Sequence, residues 1–223
     1  MQEKRERLLD NVALVGQIST DIVRIEGGKS YVRAGGTSNI RREFGYDMEI
    51  DIYPTTHCIV EIDICDGKKY GKLKHRENFP LHIGGWHDWT HIMYGDLVNN
   101  NIIKQCSEST NCLSIDFIHN KLKQISPQTI EKYVDVLFMS LEEDIGIRAI
   151  HTVLHSPNKV IGYKFNNKIY EFDLQPKQYK DVLGAGDIFA GAYIQKYLSG
   201  VYTLRDLAAH ASKHATAYLD RMN

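Results

Sequence analysis

Gly184, Ala185, Gly186 and Asp187 stand directly before Ile188 to Leu198, a run that is apolar at helical spacing and contains no proline. The first amides of a helix have no partner within it, and the helix dipole places partial positive charge at that end. Small residues there make a seat for an anion such as a transferred phosphoryl group. Glycine also lets a phosphate approach the backbone closely. An aspartate in the first turn can take a proton from an attacking hydroxyl beside that seat, so base and charge stabilisation meet within one short segment. The same residues also read as a glycine turn closed by an aspartate N-cap, with no chemistry at all. On the residues alone both readings stand.

The elements that must position this segment follow from periodicity. Val12 to Gly16 reads as a buried parallel strand opening a main sheet. Asp21 to Arg33 alternates apolar and polar residues around Gly27-Gly28, and Cys58 to Tyr70 does so around Asp66-Gly67, so both read as hairpins able to pair into one small sheet. From Trp89 onward, short apolar strands alternate with helical segments, as βαβ units do. The strands are expected at His91 to Tyr94, Cys112 to Asp116, Val134 to Met139 and Ala149 to Leu154. A hairpin follows over Val160 to Tyr170 with its turn at Asn166-Asn167, and terminal helices over Ile188 to Leu198 and Leu204 to Leu219.

Composition narrows the function classes. The 27 basic and 28 acidic residues nearly cancel, leaving a formal charge of -1 and no surplus to track nucleic acid or an anionic membrane. No run reaches the roughly 18 apolar residues of a membrane span, and Met1 to Asp10 lacks the apolar centre of a signal peptide, so a cytoplasmic location is expected. The four cysteines are neither paired as CxxC nor dense enough for a disulfide scaffold and are read as reduced thiols.

The stretch Asp181 to Ile194, DVLGAGDIFAGAYI, resembles the C-terminal signature of the PfkB (ribokinase) carbohydrate kinases, DTxGAGDxFxxG, with Val182 in place of its threonine. The resemblance implies that Gly184, Ala185 and Gly186 form the anion hole and that Asp187 deprotonates the acceptor hydroxyl. Gly16 to Asp21 is similar to the family's first strand and GxxxxD turn, which makes Asp21 an acceptor ligand. Ala34 to Asn39 resembles its GGxxxN segment, one residue short, which assigns acceptor binding to Gly35, Gly36 and Asn39. Ser140 to Glu143 stands where the family has NxxE, which places Glu143, Ser140 and, from the signature, Asp181 near the nucleotide, with Glu143 acting on the metal through Mg-ATP.

The family fold implied is a single α/β domain over residues 1–223: three α/β/α layers, a mostly parallel sheet, and a lid made by hairpins at about 21–34 and 57–72. The implied reaction moves the γ-phosphoryl group of ATP, with Mg2+, to a hydroxymethyl group of a sugar or nucleoside, in a protein that can pair its lids as a homodimer. Departures from the pattern suggest a second reading, a degenerate member that binds a sugar or nucleoside as sensor or scaffold. One βα unit reads as deleted between Phe44 and Ile52, the chain reads as short at its C-terminus, and Leu154 to Lys159 replaces a TxGxxG segment lining the nucleotide. Lys159 or His155 could offer a replacing contact there, or the segment is a solvated loop. His210 and His214 at i, i+4 lack the carboxylate of a metal motif and suggest no metal site.

Overall fold

The computed structural model describes residues 11–45, 48–65, 68–93, 98–117, 125–175 and 177–223. Residues 1–10, the Asp66-Gly67 turn and Tyr94 lie outside them. The strands form one sheet in the order β10-β9-β8-β7-β6-β5-β1-β3-β4, with β2 paired to β1. The middle of the sheet is parallel: β3 (Glu49–Cys65), β1 (Asn11–Ile25), β5 (Trp89–Ile92), β6 (Leu113–Phe117), β7 (Val136–Ser140) and β8 (His151–His155) run side by side. At one edge β9 (Lys159–Lys164) and β10 (Asn167–Asp173) turn back antiparallel. The four strands expected from His91 to Leu154 are present within two residues of their predicted bounds, whereas the Val12 strand runs on to Ile25, and the second hairpin starts at Glu49 and ends at Asn78 instead of spanning Cys58 to Tyr70. The last hairpin turns at Phe165 and Asn166 instead of Asn166-Asn167, with Phe165 in the left-handed region at φ 51°.

Strands buried on both faces must be apolar on both, and the core divides accordingly. Val12, Leu14, Trp89, Phe138 and Val153 pack under helices α4 (Ala185–Leu198) and α5 (Leu204–Met222), where Phe189, Tyr193, Ile194 and Leu207 meet them. Val15, Ile92, Ile115, Leu137 and Met139 face the other way, toward Ile103 of α2 (Asn100–Ser107) and Ile130 of α3 (Pro127–Tyr133). This is the expected three-layer α/β/α arrangement.

Two hairpins extend from the sheet as the lid. β2 (Lys29–Gly36) pairs with the second half of β1, and β4 (Lys68–Asn78) with the second half of β3. Because β1 and β3 are parallel neighbours from Asn11/Glu49 to Ile25/Ile64, lid and core sheet share two uninterrupted strands. Their register shifts at Gly16/Gln17. There Gly16 has φ 149°, and a Cβ would lie 2.6 Å from the Met93 carbonyl oxygen. The deletion expected between Phe44 and Ile52 needs correction. Glu49 to Pro54 pairs with Asn11 to Gly16 as a core strand, so the strand of that unit is retained and runs straight on into the lid.

The core also holds neutral histidines. His151 lies between the phenols of Tyr193 (2.9 Å, at Nδ1) and Tyr170 (3.1 Å, at Nε2). Ser114 Oγ accepts from Trp89 Nε1 (2.6 Å) and shares a second hydrogen bond with His91 Nδ1 (2.7 Å). Burial pushes the pKa of His151 down to about 4 and that of His91 to about 3. In the unfolded chain both take up protons near pH 6.5, so between that value and their folded pKa values the unfolded state binds more protons. Stability therefore falls as pH drops below 6.5, by up to about 1.4 kcal/mol per pH unit for each ring. Urea midpoints measured from pH 7 to pH 4.5 are expected to fall steadily, and His151→Gln to give a shallower slope. Midpoints that do not move with pH would contradict this.

Candidate active site

Helix α4 begins at Ala185, three residues before the expected start at Ile188, with Gly184 as its N-cap in the left-handed region at φ 79°. The first backbone bond of the helix runs from Ile188 N to Gly184 O (3.0 Å), while Ala185 N turns back to Val182 O at 3.4 Å. Asp187 therefore sits inside the first turn, not ahead of it. It is buried, and Asn39 Nδ2 donates to its Oδ2 at 2.6 Å. Asn39 comes from α1 (Thr37–Arg41), a helix of five residues that starts right after β2. Its Oδ1 has no hydrogen-bond partner although the residue is buried. The one-residue shortening of the GGxxxN segment thus does not keep Asn39 from Asp187.

The glycines of β2 make room for Asp21, the residue expected to bind the acceptor. A Cβ on Gly35 would lie 2.3 Å from Asp21 Oδ2 and 2.4 Å from Ser19 Oγ. Asp21 is itself buried and accepts from Ser19 Oγ at 2.8 Å. Gly36 caps α1 at φ 61°, ψ -133°, and a Cβ there would lie 2.1 Å from the Gln17 carbonyl oxygen.

Sequence reasoning missed Arg33, which faces Asp21 across the β1/β2 pair, with Nε 3.5 Å from Asp21 Oδ2. Its Nη1 donates to Leu183 O (3.1 Å) and to the Tyr218 hydroxyl (2.8 Å), and Tyr218 donates to Leu183 O (3.0 Å). Asp181 holds the same loop. It accepts from Leu183 N (2.8 Å) and from the Tyr31 hydroxyl, and the side chain of Asn223 pairs with its backbone N and O (2.8 and 2.9 Å). Burial and that carboxylate push the Tyr31 pKa up. Asp181 thus shapes the approach to Gly184 and does not line the neighbouring cavity.

That cavity, about 250 Å3, opens beside the start of α4, and Gly186 lines it. Ser140 reaches it from the end of β7 and Glu142 from the short 3-10 turn Leu141–Glu143 that follows, whereas Glu143 is not in its wall. The wall is otherwise largely apolar, with Phe189, Val160, Leu174 and Leu219, and among the described residues it contains no Lys or Arg. His155, also in the wall, stacks on Phe189 (ring centroids 4.8 Å apart), and burial pushes its pKa down to about 4, so it is neutral. The segment in place of TxGxxG is a tight turn in which Ser156 Oγ accepts from Asn158 N and Lys159 N. Lys159 is held away by Glu171 (2.7 Å) and Asp173 (3.7 Å). Elsewhere, His214 Nδ1 lies 3.0 Å from Glu43 Oε2 and beside His210. Among the described residues no three His, Cys, Asp or Glu side chains are grouped to hold a metal ion.

No family model matches the chain, and no curated protein matches it. Solved structures do. Ribokinase from Thermotoga maritima is similar at TM-score 0.70 and 16% identity, over 97% of this chain and 94% of that one. A pyrophosphate-dependent kinase in the ribokinase family, complexed with a pyrophosphate analogue and myo-inositol, is similar at TM-score 0.67 and 14% identity, over 94% and 95% of the two chains. A fructokinase double mutant from Vibrio cholerae O395, bound to fructose, ADP and potassium ion, is similar at TM-score 0.66 and 16% identity, over 93% and 90%. The chain has the ribokinase fold.

Proposed function

We propose, on the ribokinase fold and the placing of Asp187 within it, that the chain is a kinase that transfers the γ-phosphoryl group of ATP to a hydroxymethyl group of a sugar or nucleoside. The observation that carries this reading is a buried aspartate in the first turn of a glycine-capped helix, with a cavity beside that helix start and Asn39 of α1 hydrogen-bonded to the aspartate. In the reaction Asp187 accepts the proton of the acceptor hydroxyl, and the new O–P bond forms as the bond from phosphorus to the departing diphosphate breaks. The Gly184 to Gly186 segment and the helix dipole attract the charge passing between them. Asp21, Gly35, Gly36 and Asn39 hold the acceptor under the lid.

The residues present fit ATP. A largely apolar wall, without Lys or Arg among the described residues, suits a nucleobase better than a bare pyrophosphate, and Gly186 leaves the helix end open to phosphates. Magnesium ordinarily binds through one or two carboxylates and the donor's own phosphates, and Glu142 and Glu143, with Ser140, are the groups at hand. When bound it supplies charge neutralisation. Transfer of labelled γ-phosphate from Mg-ATP across a panel of sugars and nucleosides tests the reading, and no turnover with any acceptor would overturn it. Gly186→Val, which points a branched side chain toward His155 (3.7 Å from a Cβ) and the cavity, is expected to weaken ATP binding by about tenfold or more. Unchanged ATP affinity in that variant would remove the cavity as the donor site.

A further inference from the structure

His155 stands at the end of β8, opposite Ser140 in the pairing of β8 with β7, and lines the cavity beside the start of α4. Its ring lies on Phe189, one turn into that helix, with 4.8 Å between centroids and 21° between planes. Stacking covers one face and leaves the rim free. Cε1, the carbon between the two ring nitrogens, is 3.7 Å from where a Cβ of Gly186 would be. Both nitrogens therefore flank the atom that looks at the first turn of α4. Among the described residues neither has a hydrogen-bond partner, and neither is sealed off as His87 Nδ1, His91 Nε2 and His210 Nε2 are.

A bound phosphate chain needs N–H and O–H donors, and this wall has few to spare. Among the described residues it contains no Lys or Arg. Ser156 Oγ donates to Lys159 O, Ser212 Oγ to Ala208 O, and the Tyr179 hydroxyl to Asp220. Lys159, the other side chain of this segment with a proton to give, is drawn away by Glu171 and Asp173. The His155 ring is neutral, so it keeps one N–H, and it stands beside a helix end whose dipole already favours negative charge. A hydrogen bond to an ionised oxygen there is stronger than one between neutral groups. We propose that His155 is a donor-binding residue, its ring N–H donating to an oxygen of the nucleotide's β- or γ-phosphate. This deepens the kinase reading above and rests on it.

The test separates the outer phosphates from the rest of the nucleotide: calorimetry with ATP, ADP and AMP, with Mg2+ present throughout. His155→Phe keeps a ring on Phe189 and removes the N–H. It is expected to weaken ATP binding by about tenfold or more while AMP binds within about twofold of its affinity for the unaltered protein. A loss shared by ADP assigns the contact to the β-phosphate, and a loss confined to ATP assigns it to the γ-phosphate. His155→Gln, which returns an N–H, is expected to bind ATP more tightly than His155→Phe does. Equal losses for ATP and AMP would make His155 a part of the wall's shape alone, and unchanged ATP affinity would leave it no role in binding. Either result overturns the inference and leaves the kinase reading standing. If neither variant folds, histidine-selective 15N spectra of the unaltered protein decide: a ring nitrogen is expected to shift with ATP and hardly with AMP, and spectra that do not tell the two apart overturn the inference. No binding of ATP to the unaltered protein overturns the ATP-dependent reading itself, and this inference with it.

Discussion

Asp187→Asn is expected to lower kcat by about 1000-fold, the order of effect of removing a positioned general base. The substitution keeps shape and size and removes only the ability to hold a proton. The amide can still present an oxygen to Asn39 Nδ2, so the buried pair closes as before and the melting temperature is expected to stay near that of the unaltered protein. Binding of ATP should persist, because the cavity wall contains Gly186 and Phe189 but not Asp187. Rates of phosphoryl transfer measured beside a thermal melt separate the two effects. Activity retained within about tenfold would remove Asp187 as the base. If neither form turns over any acceptor while sugars or nucleosides still bind, the sensor reading takes the kinase's place.

The largest loss of stability is expected from Gly36→Ala. At φ 61°, ψ -133° a side chain is strained by about 1 to 3 kcal/mol before any contact is counted. The added carbon would also lie 2.1 Å from the Gln17 carbonyl oxygen, a backbone atom that cannot swing aside. Relieving that overlap costs a further 1 to 3 kcal/mol or so. Against a total stability of about 5 to 15 kcal/mol, the sum lowers the melting temperature by roughly 10 °C. A melt within about 2 °C of the unaltered protein would mean that β1 and β2 separate more easily than their packing implies. The prediction concerns folding, so it is independent of which ligand the cleft holds.

The parts of this fold that could be read from the residues are those in which local pattern and tertiary role agree. Val12 to Val15, Leu137 to Met139 and Val153 to Leu154 are apolar on both faces because helices cover both, and their runs are short because βαβ strands are. Gly184 ahead of Asp187 was legible because the left-handed cap admits little else. The start of α4 was not. An apolar run begins at Ile188, but the helix needs only backbone geometry and starts at Ala185, through residues too small to show a period.

Arg33 was hidden by register. A turn centred on the Gly27-Gly28 pair puts Ala34 opposite Asp21, whereas the observed pairing puts Arg33 there, and a shift of one residue sends every side chain to the other face. Likewise, the core half of β3 could not be told from its lid half, because one strand serves as both and nothing in its composition marks the crossing. Tyr218 gave no sign either, since what gathers it to Leu183 is the return of α5 onto a loop 35 residues earlier.

That shared strand pair sets how the lid can move. A cover joined to its base by flexible linkers swings freely until it meets its ligand. One built from the same two backbones as the floor is a cantilever, able to travel only as far as they twist or flex together beside Gly16. A displacement at Asp21 then reaches Val15 and Met93 along the paired strands, without crossing any loop.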